Sequence, residues 1–353
     1  MTEDQKLLYI SHFNLNFTSG SFRDCYQREF GRFPCPIDRF GLFEKIGIHD
    51  PFSFKNIVAN PIYNFSNLSN NWQDRYVVTY EQVATKVYST AGNRNIAVMY
   101  SGGIDSTAVL VALMQNPQYR DFLDSGRFRI ALTSTSIHEY PEFFYRTILP
   151  NIPIEPTDYD ALMQDDTTML VTGDDGDHVI GNTDTPEFSN VDGYLMLPKS
   201  EIFPYFNNTD PSGLLAYTFD QLCNHAPFDV ESVCQLYWWV GQCLEMQATM
   251  CRPYFWSHTD NLSDIATNQK VYRFFMDDLW NTFSFEYMST NPTYNQVNSI
   301  RDFPRQYIVN YTGDSSYLNK SKVLSQKLVY RNMPKTRIYA DLTYRFDTVR
   351  FNT

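Results

Sequence analysis

Hydrophobic and polar positions alternate with two different periods along the middle of this chain. Ile96-Ala97-Val98-Met99-Tyr100 is a short unbroken apolar run, the pattern of a strand buried on both faces. Ser101-Gly102-Gly103 interrupts it, and Thr107 to Met114 then reads as a helix stopped by Asn116-Pro117. Upstream, Val78, Val83, Val87 and Tyr88 predict an amphipathic helix between Val77 and Ala91, closed by Gly92-Asn93. Downstream, Phe128 to Leu132 predicts a second strand, Ser136 to Tyr140 a loop, and Pro141 to Leu149 a short helix. Ile152 and Ile154 mark a short third strand, weakened by Pro153 and Pro156. Tyr159 to Gln164 predicts a helical turn and Thr168 to Val171 a fourth strand. This alternation predicts an α/β fold, a parallel sheet with helices on both faces.

Further on, Asp229 reads as the N-cap of a long helix from Val230 to about Met250, with Val233, Tyr237, Val240, Leu244 and Ala248 at helical spacing. It ends at Arg252-Pro253-Tyr254-Phe255, before a second helix like Leu262 to Ala266, so the C-terminal part is expected to be mainly helical. Residues 1–75 show no such regularity. Their Phe13, Phe17, Phe22, Phe30, Phe33, Phe40 and Phe43 argue for an ordered cap rather than a disordered tail. The expected division is therefore a cap at 1–75 and one α/β domain at 76–353.

With 353 residues and 43% hydrophobic positions, the chain can build a large core without staples. A net charge of −12 argues against extended nucleic-acid binding, which needs a basic face. Lys320, Lys322, Lys327, Arg331, Lys335 and Arg337 stand out as a local basic run. The six cysteines (Cys25, Cys35, Cys223, Cys234, Cys243 and Cys251) contain no Cys-x-x-Cys pair, which removes the usual zinc and thioredoxin-like patterns. His12 and His49 have no spaced second ligand. The first residues lack a signal pattern and no run approaches the ~18 apolar residues of a membrane span, so a cytoplasmic setting is the expectation.

Two loops carry the chemistry. A strand, a Gly-rich turn and a helix start form an anion site, because free N–H groups and the positive end of the helix dipole face the same point. Gly102 and Gly103 let the backbone approach a phosphate, and Ser101, Ser106 and Thr107 add hydroxyls. A Walker A motif is excluded, since Asp105 stands where that motif has its lysine. An aspartate among phosphate donors is useful when a divalent cation sits on the phosphates. The second loop, Thr172-Gly173-Asp174-Asp175-Gly176-Asp177-His178, follows the fourth strand directly. Ligands of such sheets bind at the carboxyl ends of the strands. The loop is an acidic cap for a helix, or, if its strand neighbours the first, a Mg²⁺ site with a base.

Ser101-Gly102-Gly103-Ile104-Asp105-Ser106 resembles the PP-loop of the ATP pyrophosphatase superfamily. The second loop is similar to the Ser-Gly-Glu-Gly-x-Asp-Glu segment of the asparagine synthetase and β-lactam synthetase synthetase domains. Gly173 and Gly181 match, Thr172 stands for the Ser, Asp174 for the Glu that serves as base, and Asp177 for the metal-binding Asp. Asp175 replaces a Gly and His178 the last Glu. The resemblance spans roughly residues 75 to 340. It implies an adenine nucleotide alpha hydrolase-like fold, ATP and Mg²⁺ as cofactors, and α–β cleavage of ATP in an amide-forming ligation. In that reading Ser101, Gly102, Gly103, Asp105, Ser106, Thr107, Thr172 and Gly173 bind ATP, and Asp105 and Asp177 bind metal. Asp174 acts as base, and Lys322 or Lys327 supplies the family's C-terminal catalytic cation. A small carboxylate is the implied substrate. The family's glutaminase domain has no counterpart here, which implies free ammonia, an amine, or an ammonia-supplying partner. The alternatives are a PP-loop enzyme that modifies a nucleobase or tRNA, and a nucleotide-binding protein without catalysis.

Overall fold

The structure, a computed structural model, describes residues 40–42, 71–181, 194–204, 214–245, 269–291, 301–320, 335–340 and 346–351. The rest of the expected cap, the Arg252-Pro253-Tyr254-Phe255 segment, the Leu262 to Ala266 helix, and Lys322 and Lys327 lie outside the described residues.

The apolar run forms β1 (Asn95–Tyr100), with Ile96, Ala97 and Val98 all buried. β2 (Phe128–Leu132) and β4 (Thr168–Thr172) pair with it on either side, and β3 (Ile154–Pro156) and β5 (Val271–Arg273) complete the sheet. All pairings are parallel and the order is β3-β2-β1-β4-β5. Val98 lies opposite both Ile130 and Val171, so these side chains share one face.

Helix α1 (Trp72–Ala91) starts earlier than the pattern predicts. Asn71 caps it by accepting from the Asp74 N–H, and Tyr76 near its start joins the main core. Trp72 and Tyr76 meet Phe283 and Trp280, a tertiary gain that local periodicity does not contain. α2 (Ile104–Gln115) begins directly after Gly103, and α3 (Tyr119–Asp124) leads into β2. The expected loop after β2 contains a helical turn, α4 (Ser134–Ile137), with a capping box between Thr133 and Ser136. α5 (Pro141–Phe143) runs into a π turn at Phe144–Ile148. α6 (Tyr159–Gln164), capped by Asp158, packs beside β4. Its Leu162 and Met163 are buried apart from the main cluster. Right-handed crossovers explain this: β1 to β2 and β3 to β4 run in opposite directions across the sheet, so their helices fall on opposite faces.

Beyond β4 come α7 (Leu214–Asn224), α8 (Val233–Val240), α9 (Asp278–Thr290) and α10 (Asp302–Thr312). α9 packs on α1 and α10 on α2. Tyr80 of α1 stacks on Tyr307 of α10 at 4.3 Å. The expected long helix is corrected here. The long helix does not start at Asp229: Ser232 and Gln235 form a capping box that satisfies two N–H groups at once and starts α8 at Val233. After Val240 it passes into a π-helical turn at Gly241–Glu245. Near the end of the chain, β6 (Lys335–Ala340) and β7 (Phe346–Phe351) pair antiparallel, favoured by β-branched and aromatic residues. Among the described residues no helix is long and apolar enough to cross a membrane.

Candidate functional site

The chain leaves β1 toward β2 on one side, while β4 lies on the other. The crevice between the carboxyl ends of β1 and β4 is therefore a topological switch point, where open α/β sheets bind ligands. It brings the two sequence-predicted loops into contact.

The first loop is tied by its own hydroxyls. Ser106 Oγ accepts from the Ser101 N–H at 3.2 Å, lies 2.9 Å from Ser101 Oγ, and donates to the Gly103 carbonyl at 3.3 Å. Gly103 is the N-cap of α2 without a side-chain cap, and its own N–H donates to Ser101 Oγ at 3.3 Å. Ser101 is exposed, Ser106 is buried, and fully buried Thr107 donates to the Tyr100 hydroxyl at 3.5 Å, bracing the helix start. Gly102 has φ +77°, and a Cβ there would run into the Ser136 carbonyl oxygen and lie 2.8 Å from Glu139 Cβ. Only glycine meets both conditions.

The second loop touches the first at two more glycines. A Cβ on Gly173 would lie 3.0 Å from the Ser106 N and Cα. One on Gly176 would lie 2.5 Å from Asp105 Oδ1 and 2.8 Å from the Phe275 ring. The Asp105 carboxylate thus occupies a cradle next to Asp177 in the chain. Asp175 holds φ +70°, the only positive φ outside glycine among the described residues. Aspartate is one of the few residues that tolerates this conformation. Asp174 and Asp177 are partly exposed. Thr172, at the end of β4, is 4% exposed, and its hydroxyl has no hydrogen-bond partner.

Behind the acidic loop, Asp177 Oδ1 and His178 Nε2 are 3.9 Å apart. Gln242 Nε2 donates to the His178 carbonyl at 2.7 Å, and Ser284 Oγ donates to the Val179 carbonyl.

Sequence reasoning missed a third component. The 3-10 turn Ser315–Asn319 lays Tyr317 against Tyr140, rings 4.4 Å apart. The pKa of buried Tyr317 is raised first by desolvation and then by Tyr100, with Asp105 adding a smaller push. Lys320 Nζ sits 4.2 Å over the Tyr140 ring and 5.6 Å from Tyr317. Tyr140 OH donates to Asp314 at 2.9 Å. Burial lowers the Lys320 pKa, opposed by Glu142, Asp314 and Glu139. This lysine opens the basic run, two residues before Lys322, and only the tertiary position of Tyr140 singles it out. Arg273, 1% exposed, ends β5 opposite Thr172. The place of β5 is set by its pairing with β4, which local sequence does not encode.

Among the described residues no three His, Cys, Asp or Glu side chains gather into a metal cage. Mg²⁺ usually takes one or two carboxylates and completes its shell with phosphates and water, so Asp105 in its glycine cradle and Asp177 fit it. Cys223 and Cys234 are buried and burial pushes both thiols up to about 12, which leaves them unreactive at neutral pH. No protein-family model matches the chain, and no curated protein matches it.

Proposed function

We propose that this chain is an ATP-dependent, AMP-forming ligase similar to the asparagine synthetase synthetase domain, on a PP-loop fold. One observation carries the reading: at the β1/β4 switch point, Gly173 and Gly176 let the acidic loop lie directly on Ser106 and Asp105. A helix start without a side-chain cap and paired carboxylates suit a nucleotide triphosphate with a divalent ion.

In this reading the loop Ser101 to Ser106 holds the β and γ phosphates by backbone N–H groups and the Ser101 hydroxyl, with Thr107 bracing the helix behind it. Thr172 and Gly173 border the nucleotide. Asp105 and Asp177 would hold Mg²⁺, which offsets phosphate charge when bound. A substrate carboxylate oxygen forms a bond to the α phosphorus, the α–β bridge breaks, and pyrophosphate leaves. An amine nitrogen then bonds to the acyl carbon, AMP leaves, and the amine proton passes to the Asp174 carboxylate. Lys320, held over the Tyr140 ring, is a described cation suited to the negative charge that builds up at the adenylate. Lys322 and Lys327, in the same basic run, keep their candidacy for that role.

The test is AMP and pyrophosphate release from ATP and Mg²⁺ with an amino-acid mixture, with and without ammonium. Release that depends on one acid is expected, falling at least about tenfold in Ser101→Ala and about a hundredfold in Asp105→Ala. Unchanged turnover in both variants overturns the assignment. A second reading, nucleotide binding without catalysis, is favoured by Asp174, one methylene shorter than the glutamate of the resembled motif. ATP binding with no product under every condition selects it.

A further inference from the structure

We infer that Gln242 and Ser284 are positioning residues that hold the acidic loop from behind and so set where Asp177 stands toward a divalent cation. The inference rests on the reading of Asp177 as a metal-binding residue and goes beyond it, because both side chains come from the helical region and neither belongs to a loop motif.

The loop is irregular. Between Gly173 and Gly181 it contains one 3-10 turn, Gly176–His178, preceded by left-handed Asp175. Its internal backbone bonds are His178 N to Asp175 O at 3.0 Å and Val179 N to Gly176 O at 3.4 Å. The two carbonyls that follow, of His178 and Val179, are each taken by a side chain from a different helical segment. Gln242 lies in the π turn Gly241–Glu245, a geometry that recurs at functional sites. Ser284 lies in α9.

The helices beside these donors are tied to each other. Ser284 Oγ accepts from Trp238 Nε1 at 3.1 Å, and Gln235 Nε2 donates to the Met288 carbonyl at 2.8 Å, so α8 and α9 act as one clamp. Gln242, Ser284 and Trp238 are 2%, 3% and 0% exposed, which shields these bonds from water. The held carbonyls sit one and two residues after Asp177. A shift of this backbone moves the Asp177 carboxylate relative to Asp105, whose own position is set by the Gly176 cradle. Phosphate binding by the first loop does not pass through this clamp.

The measurement is Mn²⁺ binding to the full chain by electron paramagnetic resonance, with a non-hydrolysable ATP analogue present. Binding of the analogue alone, in EDTA, is measured in parallel. Gln242→Met keeps length and removes the donor, and Ser284→Ala removes the second. Each variant is expected to weaken Mn²⁺ about fivefold, the worth of one net hydrogen bond, with metal-free analogue binding unchanged within about twofold. Wild-type Mn²⁺ affinity in the folded variants overturns the inference. So does an equal loss of metal-dependent and metal-free binding, which marks a general loss of structure. If Gln242→Met does not fold, Ser284→Ala decides alone. Failure of the underlying reading looks different: Asp177→Asn then leaves Mn²⁺ binding intact, or the wild type binds none.

Discussion

The two ends of the sheet treat charge in opposite ways. At the amino end, Arg129 joins three strands: its Nε bonds Glu155 at 2.7 Å, and its Nη2 bonds Thr168 Oγ1 at 2.9 Å and lies 3.4 Å from Asp165. Asp165 accepts from the Thr167 and Thr168 hydroxyls at 2.6 Å each, and Lys270 donates to the Asp165 and Thr168 carbonyls. Cations and anions there answer one another. At the carboxyl end, aspartates, an uncapped helix start and the buried Thr172 hydroxyl collect around glycines that lack a Cβ. The amino end is built for stability, whereas the carboxyl end assembles groups that suit a phosphate and a cation.

The largest effect should come from Gly102→Ala. A Cβ in a left-handed position against the Ser136 carbonyl forces the loop apart. Turnover should fall by about a hundredfold or more and stability by about 2 kcal/mol, read by pyrophosphate release and thermal unfolding. If the variant keeps wild-type turnover, the glycine contacts do not define the site. Next comes Lys320→Met, which removes the cation over Tyr140 but keeps the length of the side chain. Turnover should drop about a hundredfold while ATP binding stays near wild type, and an unchanged rate would return the role to Lys322 or Lys327.

A smaller effect belongs to the amino end. Hydrogen bonds from Thr167 and then Thr168 hold the Asp165 carboxyl down to about 2. A carboxyl lowered by folding stabilises the fold above its ordinary pKa, and that contribution is lost as pH falls from about 4 to about 2. Asp165→Asn should flatten the acid limb of the stability curve by about 1 kcal/mol or less, because the side chain is 34% exposed and water screens it. Turnover at neutral pH should not change, and a large loss would blur the contrast between the two ends. Smallest is Asp175→Gly, which relieves the left-handed backbone. Melting should shift by the equivalent of less than about 1 kcal/mol with activity kept, while Asp175→Val should lose clearly more.

Much of the sheet and of its loops was legible in the sequence because they combine strong local signals. β1, β2 and β4 are apolar runs bounded by turn residues, and the Ser101 and Thr172 loops follow β1 and β4 directly. β5 was not legible, because its place is set by pairing with β4. The start of α8 at Val233 was readable as a Ser232-x-x-Gln235 capping box but was overshadowed by Asp229. Lys320 could be seen only as one charge of a run, since what marks it is Tyr140, 180 positions away in the chain and 4.2 Å away in space.

By itself the sequence determined that β1, β2 and β4 are strands and which loops carry glycine, hydroxyl and carboxylate, because those properties depend on residue type and near-neighbour spacing. The tertiary structure decided that β1 and β4 are neighbours, that Gly173 and Gly176 rest on Ser106 and Asp105, that Gln242 and Ser284 reach the carbonyls after Asp177, and that Lys320 lies over Tyr140. Strand order and helix docking depend on burial and hydrogen bonding between distant segments, and local periodicity does not encode them.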